Sequence, residues 1–136
     1  MRKNKGFTLV ELLIVLTILG ILMSIFVPQF TRVKLRALLS SCQMNEKNIA
    51  TALETYAAND SMRYYPTDGN LNILVNSTPK YINTMPTCPS NGAEYEYNSE
   101  LPTFMYTITC KGDHTALGVP LDRPQYTNKT GSFKLD

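Results

Sequence analysis

Apolar residues are distributed very unevenly along this chain. From Leu12 to Val27 the sequence reads LLIVLTILGILMSIFV, broken only by the uncharged Thr17, Gly20 and Ser24. Extending the count back to Phe7 gives 21 residues with one charge, Glu11. As a helix rising about 1.5 Å per residue, that run is just over 30 Å long, enough to cross a bilayer's hydrocarbon layer. From Thr31 to about Asn59 there is no proline or glycine. Leu35, Leu38, Leu39, Cys42, Ile49, Ala52, Leu53, Tyr56 and Ala57 recur at three- and four-residue spacing, with a polar interruption over residues 43–48. This predicts an amphipathic continuation, and one helix of about 50 residues in all. A one-sided stripe needs a partner to cover it, and the C-terminal half must supply it.

In that half the period changes. Pro66 and Asp68-Gly69 mark a turn, and Asn70 to Val75 is read as a short helix with Leu71, Leu74 and Val75 inward. Pro79, Pro86 and Pro89 bracket an extended loop anchored by Tyr81 and Ile82. AEYEYNS places Tyr95 and Tyr97 on one face of a strand. TFMYTITC places Phe104, Tyr106, Ile108 and Cys110 on one face of the next, paired across SELP. TALGVPL is a weaker third strand, and the tail from Asp122 is polar and turn-rich. The expected fold class is α+β: a long N-terminal helix packed on a small C-terminal antiparallel sheet.

Charge adds direction. The chain of 136 residues carries a net +2, and Arg2, Lys3 and Lys5 precede the apolar run. The positive-inside rule puts the N-terminus in the cytoplasm and everything beyond Pro28 outside. Without residues 1–6 the balance is 10 basic to 11 acidic, which gives no electrostatic support for binding nucleic acid. With the second half outside the cytoplasm, Cys88 and Cys110 are the natural disulfide pair. Their loop is worth roughly 3 kcal/mol in the unfolded-state entropy account. Cys42 is then left over as a small buried residue on a helix face. Candidate chemistry is sparse. Asp113 and Asp122 are possible calcium ligands, but two aspartates do not make a site. His114 reads as a surface residue in a turn, without a second ligand or a nucleophile beside it. No metal, cofactor or catalytic residue is expected.

Glu11 is the anomaly, because an ionised carboxylate in hydrocarbon is costly. A cleavable signal peptide would have a shorter apolar core and a small-x-small site after it, which PQFTRVKLRALL does not offer. A plain signal anchor leaves Glu11 without a role. The stretch KGFTLVELLIVLTILGIL, with Gly6, Phe7, Thr8, Leu9, Glu11 and the long apolar run, closely resembles the N-terminus of type IV pilins and of type II secretion and competence pseudopilins.

The resemblance covers about a quarter of the chain and implies a division into a leader (1–6), a membrane and filament-core helix (7–28), an amphipathic helix (29–59) and a small globular head (60–136). It implies that a prepilin peptidase cuts between Gly6 and Phe7, and that Phe7 is then N-methylated. It implies a single-pass protein of the inner membrane that passes from an assembly platform into an extracytoplasmic helical filament of itself or related pilins. Between Gly20 and Pro28 the resemblance implies a kinked or locally melted helix, as the missing amide of Pro28 would permit. The amine created at Phe7 gives Glu11 an intersubunit partner, since two charges in an apolar bundle each need the other. The competing reading of Glu11 is a carboxylate that snorkels at the membrane edge. The implied function is structural: a subunit that acts by polymerisation, not an enzyme. The alternative is a minor pilin at the filament tip, serving adhesion or DNA uptake.

Overall fold

The computed structural model describes residues 6–67, 69–100 and 104–136. The leader up to Lys5, Asp68 of the expected turn, and residues 101–103 of the SELP connection lie outside the described residues. The chain divides into two units, Met1–Lys34 and Leu35–Asp136.

The first unit is the N-terminal part of helix α1 (Leu9–Asn59). Every described residue from Gly6 to Lys34 is exposed, including Leu9, Leu16, Ile21, Phe26 and Phe30. The apolar side chains point all round and none is covered by the chain itself. A single long apolar helix of this kind supports a single-pass membrane protein. The helix runs unbroken through Gly20 and Pro28.

The second unit is the head. Here α1 buries Cys42, Glu46, Ile49, Ala50, Leu53 and Ala57, a stripe at three- and four-residue steps. Glu46 lies within the stripe, so the segment read as a polar interruption contributes to the core. Leu35, Leu38 and Leu39 are only half-buried. Helix α2 (Ile73–Asn76) buries Leu74 fully, and Leu71 just before it is also buried.

A four-stranded antiparallel meander covers the stripe: β1 (Tyr95–Glu100), β2 (Met105–Cys110), β3 (Gln125–Thr127) and β4 (Ser132–Lys134), in that order. Tyr95 faces Cys110 and Tyr97 faces Ile108 across β1 and β2, and Ile108 faces Tyr126 across β2 and β3. The two-residue period delivers Tyr95, Tyr97, Tyr106, Ile108 and Cys110 to the core. The tyrosines bury their rings and find partners for their hydroxyls. Tyr106 Oη donates to Glu54 Oε1 at 3.0 Å, Tyr65 Oη to Glu54 Oε2 at 2.8 Å, and Tyr97 Oη to the Pro66 carbonyl at 2.8 Å.

Three expectations are corrected. TALGVPL is not a strand: Thr115–Leu117 forms a 3-10 turn that ends at Gly118 with φ +77°. The third and fourth strands come instead from the tail, where Tyr126 and Phe133 face each other and pack their rings 5.4 Å apart. Phe104 does not share the buried face of β2. Its backbone has a φ of +52°, and its exposed ring stacks on Tyr64 at 5.4 Å.

Candidate functional sites

At the N-terminus, Thr8 and Glu11 close a reciprocal hydrogen-bonded ring. The Thr8 amide and hydroxyl both donate to Glu11 Oε2, at 3.0 and 2.7 Å, and the Glu11 amide donates to Thr8 Oγ1 at 3.3 Å. This is a capping box, which satisfies amides that the first helical turn leaves without intrahelical acceptors. The signal T-x-x-E before an apolar run is readable in the sequence. It means that Glu11 already has partners within its own chain. Gly6 and Phe7 lie immediately outside α1, in non-helical exposed chain.

In the head, four side chains from separate segments converge. Cys42 comes from α1, Cys88 from the loop before β1, Cys110 from the end of β2, and His114 from the turn that follows. All four are buried, and their ligand atoms lie within 4.8 Å of one another. Cys42 Sγ is 3.5 Å from Cys88 Sγ and 2.7 Å from Cys110 Sγ. His114 Nε2 is 3.5 Å from Cys88 Sγ and 3.6 Å from Cys110 Sγ.

Cys88 and Cys110, the expected disulfide pair, both lie in this cluster without a bond between them, and Cys42 stands against each. His114 is not a surface residue: it is 4 % exposed. Its burial depends on the turn folding back over Cys88, a contact that nothing local in the sequence encodes.

Each sulfur also has its own polar neighbour. Tyr95 Oη is 3.2 Å from Cys42 Sγ, Ser90 Oγ is 3.2 Å from Cys88 Sγ, and the Gly112 amide donates to Cys110 Sγ at 3.3 Å. The hydrogen bond with Cys110 and burial push the Cys42 thiol up, while the same hydrogen bond, the Gly112 amide and His114 hold Cys110 down. Gly112 is required for space. A Cβ there would run into Cys88 Sγ and come within 2.9 Å of Ser90 Oγ.

One helical turn beyond Cys42, the fully buried Glu46 makes no well-formed hydrogen bond through either carboxyl oxygen among the described residues, the Cys110 amide being a neighbour in poor geometry. Burial, reinforced by negative charge on Cys110 and only partly offset by the Cys110 amide, pushes this carboxyl up to about 9, so it is neutral at pH 7. The two aspartates considered for calcium are otherwise engaged. Asp113 Oδ1 accepts from the Thr115 amide and hydroxyl, and Asp122 pairs with Lys111 at 2.9 Å.

Comparison with known proteins identifies the family. Residues 1–27 match the prokaryotic N-terminal methylation motif. The type II secretion system core protein G of Pseudomonas aeruginosa is 32% identical over 125 residues, which cover 82% of this chain and 87% of that protein. This chain belongs to the type IV pilin and pseudopilin family. The core protein G of Vibrio cholerae is 36% identical over 109 residues, 73% of each chain. The type IV major pilin protein PilA of Myxococcus xanthus is 41% identical over only 54 residues, 40% of this chain and 24% of its own. No solved structure matches the chain. A pilin or pseudopilin is a structural, non-catalytic subunit, and the long helix with its small antiparallel sheet is the fold of this family.

Proposed function

We propose that this protein is a subunit of a type II secretion-like pseudopilus. It is inserted with its N-terminus in the cytoplasm, cut between Gly6 and Phe7 by a prepilin peptidase, methylated at Phe7, and polymerised from an inner-membrane platform. The observation that carries the reading is the uncovered N-terminal part of α1. Its apolar side chains face every direction and need lipid before assembly and neighbouring helices after it. The extent of similarity to core protein G, greater than that to the pilins, favours the secretion system over a pilus. Within the filament, Glu11 pairs with the Phe7 amine of a neighbouring copy and sets the stagger between subunits. Opening of the helix between Gly20 and Pro28 belongs to the packed filament, since α1 of the single chain runs unbroken across these positions.

Mass spectrometry of the membrane fraction tests the processing. The expected chain begins at Phe7 and carries one methyl group; a chain that keeps residues 1–6 overturns the proposal. Two substitutions separate the intersubunit role of Glu11 from its capping role. Glu11→Ala is expected to insert normally and fail to enter filaments. Thr8→Ala, which removes the hydroxyl of the capping box and keeps the carboxylate, is expected to assemble. Equal failure of both reduces Glu11 to a helix cap. Many copies per filament are expected; one or a few would instead favour a tip-located binding module.

A further inference from the structure

We propose that the head binds one zinc ion through Cys42, Cys88, Cys110 and His114. A Cys3His zinc centre is tetrahedral, with Zn–S near 2.3 Å and Zn–N near 2.0 Å, which sets S···S edges of about 3.8 Å and S···N edges of about 3.5 Å. The two S···N separations of 3.5 and 3.6 Å match. The Cys42–Cys88 edge, at 3.5 Å, is close. The Cys42–Cys110 edge, at 2.7 Å, is the short one and opens by about 1 Å on metal entry. A tetrahedral set drawn from soft thiolates and an imidazole selects zinc over calcium or magnesium, which take oxygen ligands.

Two further observations point the same way. First, the donor set is complete: any disulfide between two of these cysteines leaves a third buried sulfur and a buried imidazole without a use, whereas one ion engages all four. Second, the surroundings suit sulfur as a metal ligand. Tyr95, Ser90 and the Gly112 amide each approach a different sulfur at 3.2–3.3 Å, and donors of this kind orient and support thiolate ligands. The ion ties the long helix, the loop before β1, and both sides of the β2 end to one point. A head with so small a sheet gains from such a staple.

The test uses the full-length protein, extracted in detergent without chelator or reductant. The expected result is one zinc per chain by elemental analysis, released in step with the modification of three thiols by an organomercurial. Reconstitution of the reduced, metal-free protein with cobalt(II) is expected to give the intense visible bands of a tetrahedral thiolate site. Cys88→Ser and His114→Ala should each lose stoichiometric metal. Should either variant fail to fold, the cobalt spectrum of the unaltered chain decides alone. A native chain with no zinc, lacking a pair of hydrogens and having a single alkylatable thiol, would mean a disulfide and overturn the proposal. So would three free thiols with no uptake of zinc or cobalt. Neither result would touch the filament role, which the processing and Glu11 experiments test separately.

Discussion

Replacing Gly112 by alanine is the sharpest test of the packing around the sulfur cluster. No positive φ holds this glycine in place, so alanine is conformationally acceptable there. At such a position the substitution ordinarily stabilises by about 0.4–1 kcal/mol, because the unfolded chain loses freedom. Here the added carbon would clash with Cys88 Sγ and come within 2.9 Å of Ser90 Oγ and 3.1 Å of Cys88 Cβ. The sulfur has little room to retreat, because Cys42 and His114 stand 3.5 Å from it. The backbone beneath is pinned by the Cys88 amide to Ala93 at 2.8 Å and the Gly92 amide to Cys88 at 2.7 Å. Overpacking that cannot relax costs about 3 kcal/mol, the upper end of the usual range. Subtracting the unfolded-state gain leaves a net loss of about 2 kcal/mol, or roughly 8–16 °C in Tm for a head of this size. Thermal melting followed by near-ultraviolet circular dichroism reads it. Gly118→Ala is the control: its φ of +77° is strained for alanine but the space is open, so the loss is about 1 kcal/mol. A Gly112→Ala protein as stable as the original, or more so, would refute the argument.

Glu46→Leu removes a buried carboxyl that makes no well-formed hydrogen bond among the described residues and keeps its volume. The head is expected to gain about 1–3 kcal/mol, read as a higher Tm; a loss would mean that the carboxyl is satisfied in solution. Burial raises the Tyr97 hydroxyl from 10 to about 12. The folded head therefore keeps a proton that the unfolded chain gives up, and stability falls as pH rises from about 10 to 12, by about 3 kcal/mol for this residue alone. Phenolate absorbance should rise together with loss of the head's circular dichroism, and early ionisation of Tyr97 in a folded head would contradict this. Asn128 takes the Tyr106 amide on its Oδ1 at 2.9 Å and gives its Nδ2 to the Phe104 carbonyl at 2.9 Å. Asn128→Ala should cost about 1–2 kcal/mol in chemical denaturation, and a neutral result would mean that water replaces both bonds.

The long-range plan of the molecule was legible wherever one period ran for many residues. The apolar run, the stripe through Ile49 and Leu53, and the alternating tyrosines of β1 and β2 each reported the face that is covered. Legibility failed where burial is decided by distant chain. Glu46 sits at a stripe position, but a carboxylate reads as solvent-facing unless the sheet above it is known. β3 and β4 span three residues each, too short for alternation to register, and they exist because β2 offers an open edge. Cys42, Cys88, Cys110 and His114 are spread over more than half the chain, and only the folded head brings them together. A pairing rule based on compartment and spacing could see Cys88 and Cys110, but not the helix that places Cys42 between them. The Thr8–Glu11 box, by contrast, was fully encoded locally, and the prominence of Glu11 as a membrane anomaly masked it.

That box has a consequence for how a filament of these subunits would behave. A carboxylate with no ligand in the bilayer would make polymerisation steeply downhill, and disassembly correspondingly slow. Here the same oxygen already accepts two hydrogen bonds at home. For a carboxylate already partnered in this way, entry into the proposed filament gains less than it would for a bare one. The fibre's length would answer to the supply of subunits and to work done at its base, and a chain withdrawn into lipid would find its original hydrogen bonds waiting.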